Sequence, residues 1–153
     1  MKKILLTLLV FLFLISSCSK SNVTIDNNAV LSYIDDNYND KTGYVDVTDF
    51  YYEHYFKEVD EIASVKILVN TESTNFDEIG IFEFKNDRSA KKYISVIKNY
   101  INGSVDNFKN GIIYDINEYP KFENASVVRN SNIVVYMILD KERSKEIINL
   151  LKK

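Results

Sequence analysis

Apolar residues follow three different spacings along this chain, and each spacing predicts a different kind of element. From Ile4 to Ile15 they run almost unbroken, with Thr7 the one polar residue. A run of that length is too short to cross a bilayer, which takes about 20 helical residues. Further on, the spacing becomes helical. Val30, Leu31 and Ile34 predict a first amphipathic helix, capped by Asp26 or Asn27. Tyr52, Phe56 and Val59 predict a second, capped by Thr48 or Asp49, with Tyr51 and Tyr55 on a neighbouring face. The longest stripe is Ala90, Tyr93, Ile94, Ile97, Ile101 and Phe108, with Lys91, Lys92 and Lys98 opposite. It predicts a helix starting at Asn86 or Asp87 and stopping at Asn110-Gly111. Gly103 lies inside it, a point at which the helix can break. Ile147, Ile148 and Leu151 predict a final helix capped by Asp140.

The third spacing is two, the signature of strands. Val65, Ile67 and Val69 alternate with Lys66 and Asn70, although Leu68 breaks the polar face. Within Phe76–Lys85, Ile79 and Ile81 oppose Gly80, Phe82 and Phe84. Within Asn132–Leu139, Ile133, Val135 and Met137 oppose Val134, Tyr136 and Ile138. Apolar side chains on both faces predict central strands covered from both sides. Gly80 would let a neighbouring element approach closely. Turn-like Thr71–Asn75 joins the first two strands, and Asn130-Ser131 joins Ala125–Arg129 to Asn132–Leu139. Tyr119-Pro120 marks a boundary before that second hairpin. The expected fold is α+β: a four-stranded antiparallel sheet in a ββα–ββα core, preceded by one or two N-terminal helices.

The flanks of the first apolar run change the picture from fold to location. Lys2-Lys3 precede it and Ser16-Ser17-Cys18 follow it, the order of a secretory signal. Ile15-Ser16-Ser17-Cys18 resembles the lipobox of bacterial lipoproteins. The resemblance implies that the Cys18 thiol is diacylglycerylated and that cleavage makes Cys18 the first residue. Cys18 is the single cysteine of the 153-residue chain, which leaves no disulfide framework to claim it. One acyl chain binds a membrane marginally, and a diacylglyceryl group supplies the second. The expected organisation is a signal peptide over 1–17, a lipidated cysteine and flexible tether over 18–25, and one globular domain over 26–153. The partner at that end is a membrane, on its extracytoplasmic face.

Removing residues 1–17 leaves 136 residues, one domain's worth, and takes the formal charge from −3 to −5 because two lysines and no acid depart. An acidic domain is a poor partner for nucleic acid, whose binding needs clustered cations.

Candidate chemistry is sparse. Asp35, Asn37, Asn39 and Asp46 fall at positions one, three, five and twelve of a calcium loop. Asp40 stands where the sharp turn needs glycine, and Asp46 is shorter than the bidentate glutamate, so a solvated turn explains the run better. His54 is the only histidine, a packed or surface ring rather than a general base. The aromatic density around Tyr51–Phe56 reads as core and edge packing rather than a sugar platform. No phosphate loop or nucleophile elbow is present. No catalytic, cofactor-binding or metal-ligating residue is assigned. The expected function is a lipid-anchored extracytoplasmic lipoprotein, a noncatalytic binding or envelope-accessory module with an envelope protein or cell-wall component as partner. The alternative is an envelope hydrolase or cation-dependent binding protein using surface carboxylates.

From Ser64 to Leu151 the order of motifs resembles a family of bacterial lipoproteins known as Domain of Unknown Function 4358. The matching features are Asp77-Glu78-Ile79-Gly80-Ile81-Phe82, then Asp87 and Ala90, Tyr119-Pro120, Glu123-Asn124-Ala125 and Asn132. Ser131 departs from the pattern, where a glycine would precede the asparagine. The family implies a lipid-anchored extracytoplasmic domain and lends no catalytic residue. It highlights one acidic pair, Asp77-Glu78, expected to position the strand start by bonding local backbone.

Overall fold

A computed structural model describes residues 27–72, 74–111 and 116–152. Cys18, the expected signal peptide and tether, and Asp26 lie outside the described residues, as do Ser73, residues 112–115 and Lys153. The class is α+β. Helix α1 (Asn27–Asn37) leads through a short 3-10 turn (Asp40–Thr42) into β1 (Tyr44–Asp46). Helix α2 (Thr48–Tyr51) runs on as a π-helical turn (Tyr52–Phe56), and β2 (Ile62–Asn70) and β3 (Glu78–Phe84) follow. Then come α3 (Asp87–Lys109), α4 (Tyr119–Glu123), β4 (Ser126–Asn130), β5 (Ile133–Ile138) and α5 (Lys141–Leu151).

The ββα–ββα order is present, but the sheet has five strands among the described residues rather than four, in the order β1-β2-β3-β5-β4. All its pairings are antiparallel. The extra strand, β1, sits between the two N-terminal helices, so these do not simply precede the sheet. It escapes a periodicity reading because it has three residues, of which Tyr44 alone is buried. Asn39 caps the preceding turn and Gly43 closes it at φ +82°, a conformation glycine adopts without a Cβ penalty. That reversal lays Tyr44 against Asn70 at the sheet edge.

Both faces of the sheet are covered. On one, Val30 and Ile34 of α1 and Ile147 and Leu151 of α5 pack over Leu68, Ile79, Ile81, Val135 and Met137. Leu68, which seemed misplaced on a polar face, belongs to this core. On the other, Phe56 and the α3 residues Ala90, Tyr93, Ile97 and Ile101 pack over Ile67, Phe82, Phe84, Val134 and Tyr136. The period-two pattern of β3 and β5 is therefore the division between two cores.

Helix α3 stays continuous through Gly103, which faces open space, and stops at Gly111 with φ +73°. Asn86 caps it, accepting from the Ser89 N–H at 3.0 Å. Asp140 caps α5, accepting from the Glu142 and Arg143 N–H groups at 3.0 Å each. The second hairpin turns on Ser131-Asn132, one residue later than expected. Ser131 takes φ +48°, which explains why glycine would suit that position.

A buried carboxyl in an aromatic cleft

The two acids that open β3 point to opposite faces of the sheet, as successive strand residues must. Asp77 goes to the α1/α5 side and Glu78 to the α3 side. Both are buried, at 1% and 8% exposure. Neither caps the strand start by bonding local backbone, the role expected of the pair. Each reaches across the fold instead.

Asp77 is surrounded by charge. Arg143 of α5 donates to its Oδ2 at 2.5 Å, and the Tyr44 hydroxyl donates to the same atom at 2.5 Å. Lys121 of α4 lies 2.7 Å from Oδ1. Burial pushes the Asp77 carboxyl up, but hydrogen bonds from Arg143, Lys121 and Tyr44 outweigh it and hold the group below the usual carboxylate range. The cations are held in turn. Lys121 also donates to Asn75 at 2.8 Å and Glu118 at 2.6 Å, while Arg143 pairs with Asp140. Glu118 accepts from the Phe76 N–H at 2.9 Å. The network ties β1, the β3 start, α4 and α5 into one joint.

Glu78 is surrounded by hydroxyls. Tyr100 of α3 and Tyr136 of β5 both donate to its Oε1 at 2.7 Å. Tyr51, where α2 passes into the π turn, approaches the same carboxyl. Such π turns recur at functional sites. Among the described residues no Lys or Arg hydrogen-bonds or ion-pairs with it. Burial pushes the Glu78 carboxyl up, the three hydroxyls oppose this only in part, and the group stays above the usual range. Burying an ionised carboxylate without a cation costs several kcal/mol. The neighbouring phenols respond to the same acid. Burial and the Glu78 charge raise Tyr100 and Tyr136 well above the ordinary tyrosine range.

Gly80 makes this geometry available. It pairs with Tyr136 across the β3–β5 ladder, and a Cβ built on it would overlap the Tyr136 ring. The neighbouring element expected to approach Gly80 closely is β5, through the Tyr136 ring. With no side chain beneath it, the Tyr136 ring crosses β3 and delivers its hydroxyl to Glu78, two residues along the strand. Tyr100 packs 4.9 Å from Phe56 and 5.5 Å from Tyr136, centroid to centroid, so its aim is fixed by aromatic contacts.

Glu78, Tyr51 and Tyr100 line a cleft of about 390 Å³, together with Asn75, Ser104 and Asn107. That volume lies within the range of small-molecule sites. The Tyr51 and Tyr100 rings meet at 70° with centroids 6.3 Å apart.

The remaining sequence candidates stand apart from this cleft. His54 is exposed in the π turn after α2, stacked on Phe50 at 4.1 Å, its Nδ1 2.7 Å from the Phe50 carbonyl. The calcium-like residues are committed to neighbours. Asp35 pairs with Lys66, and Asn37 donates to the Tyr33 carbonyl. Asn39 caps the 3-10 turn, and Asp46 accepts from Thr48. Cys18 lies outside the described residues. Sequence reasoning missed Tyr100, Tyr136, Lys121 and Arg143 as site residues. Tyr100 follows Ile97 by three positions, so it sits on the apolar stripe of α3, the one signal that marked it. Among the described residues, no helix is long and apolar enough to cross a membrane. No protein-family model, curated protein or solved structure matches the chain.

Proposed function

We propose that this protein is a lipid-anchored binding module of the bacterial envelope, held to the extracytoplasmic face of a membrane through Cys18 and taking a small ligand in the Glu78 cleft. The observation that carries the binding reading is the convergence of two buried carboxyls, Asp77 with its cations and Glu78 without, two tyrosines and amide side chains on a single cavity of suitable size. The anchoring half rests on the charge, length and cysteine order of residues 1–18. Kinship with the Domain of Unknown Function 4358 lipoproteins belongs to the same proposal, supported by the order of motifs between Ser64 and Leu151. The envelope supplies both the membrane partner and the source of ligand.

Two experiments test the halves separately. Cys18→Ala should abolish membrane association and incorporation of labelled fatty acid, because the apolar run alone is too short to anchor the chain. An alanine variant that is processed normally and still sediments with membranes contradicts the anchor. For the cleft, thermal unfolding of the full chain in a maltoside detergent is followed with sets of neutral sugars, amino acids and amines. At least one class should raise the melting temperature of the wild type and not of Asn107→Trp, an exposed substitution that fills the cleft mouth. No shift with any class, or a shift undiminished in Asn107→Trp, contradicts the binding reading.

A further inference from the structure

Asp77 and Glu78 are adjacent in sequence and both deeply buried, but only Asp77 has its charge balanced by cations within the protein. Glu78 meets tyrosine hydroxyls alone, and it faces a cleft. A buried carboxylate is stable in a protein when it is paired with a cation, so the missing countercharge is a property the ligand can supply. We propose that the cleft binds a methylated organic ammonium, with the Glu78 carboxylate as counter-ion and the rings of Tyr51 and Tyr100 as walls. This deepens the binding reading above and rests on it.

Three observations select that chemistry. Oε1 already accepts hydrogen bonds from Tyr100 and Tyr136, filling both of its lone pairs, and Tyr51 approaches the same carboxyl. With three phenols converging on it, the carboxylate keeps little acceptor capacity, on Oε2, for a ligand rich in N–H donors, whereas a methylated ammonium brings charge without needing acceptors. The two rings meet at 70° and form a corner, and aromatic faces attract quaternary ammonium groups. Metal ions fit less well. Calcium takes six to eight oxygens, and among the described residues no group of three His, Cys, Asp or Glu side chains is placed to hold a metal. The cleft's other polar walls include neutral Asn75, Ser104 and Asn107, which suit the uncharged end of such a ligand, and two further acids, exposed Glu72 and the cation-paired Asp77.

The test compares two probes of the same shape, choline and its neutral carbon isostere 3,3-dimethylbutan-1-ol, by isothermal titration calorimetry on the full chain in a maltoside detergent. Choline should bind at least about tenfold more tightly than the isostere. Glu78→Gln should lower choline affinity to that of the isostere while the thermal melt shows a folded protein, and Tyr51→Leu should weaken both probes. The wild-type comparison needs no variant, so it stands even if a substitution fails to fold. Equal binding of the two probes, or choline affinity unchanged in Glu78→Gln, overturns the ammonium assignment. So does displacement of choline by millimolar calcium chloride with Glu78→Gln abolishing the displacement. A neutral sugar binding in the cleft where choline does not would also overturn the assignment while leaving the binding module standing. Absence of any ligand at the cleft would remove both.

Discussion

The joint at Asp77 and the cleft at Glu78 begin one peptide bond apart and solve the burial of a carboxyl in opposite ways. At Asp77 the protein supplies two cations and a phenol, each held by further partners, and the acid is kept ionised. At Glu78 it supplies only phenols, and the acid is pushed toward its neutral form. The first arrangement is complete in itself and fastens four elements together. The second is incomplete whenever the carboxyl ionises, and the incompleteness opens onto a cavity. Burial alone therefore does not make the two acids equivalent. What distinguishes the two is whether the protein has provided the countercharge.

The largest effect should come from breaking the joint. Asp77→Ala leaves Arg143 and Lys121 facing each other without their shared anion, a loss of about 3–5 kcal/mol for a buried pair. Because the folded-state pKa of Asp77 is depressed, its contribution is present above the ordinary carboxylate range and is lost as pH falls through the folded value. Urea unfolding should show the gap between wild type and variant narrowing in acid. A gap independent of pH would mean that the ion pairs are not its source.

Next comes Gly80→Val, which puts two methyl groups where the Tyr136 ring lies, at the centre of the sheet. Overpacking of this kind costs about 1–3 kcal/mol, and it should also displace the Tyr136 hydroxyl from Glu78. The comparison is sharpened if this variant perturbs the titration of Glu78 and leaves that of Asp77 in place. A variant as stable as the wild type would mean that the ring has another low-energy position.

The smallest effect, and of opposite sign, is expected for Glu78→Gln. The folded-state pKa of Glu78 is raised, so its contribution is full below the ordinary carboxylate range and is lost as pH rises through the folded value. In the absence of ligand, the glutamine variant should gain on the wild type across that rise. A variant that falls behind the wild type as pH rises would mean that Glu78 is stabilised as an anion.

How far the sequence revealed this arrangement follows from the range of its signals. Period-two alternation in β3 and β5 placed both strands at the centre, because each carries apolar side chains on both faces. The caps Asn86 and Asp140 and the stop at Gly111 were legible for the same reason, being local backbone chemistry. The edge strand β1 was not, since one inward residue makes no pattern. The cleft was legible only as fragments. Asp77-Glu78 stood out as an acidic pair and Tyr51 as part of an aromatic run, but their partners Tyr100, Tyr136, Lys121 and Arg143 come from distant elements. Strand alternation already implies that adjacent acids face opposite ways. Which of them meets cations depends on how α3, α4 and α5 pack, and no local pattern carries that.

The central claim is that two neighbouring buried carboxyls are held in opposite charge tendencies, and it is tested most directly by following their side-chain carboxyl carbons by NMR as pH is varied. The account predicts that Asp77 titrates below the ordinary carboxylate range and Glu78 above it, with the Tyr136 ring signals moving in step with Glu78. Two ordinary titrations, or the reverse order, would contradict it.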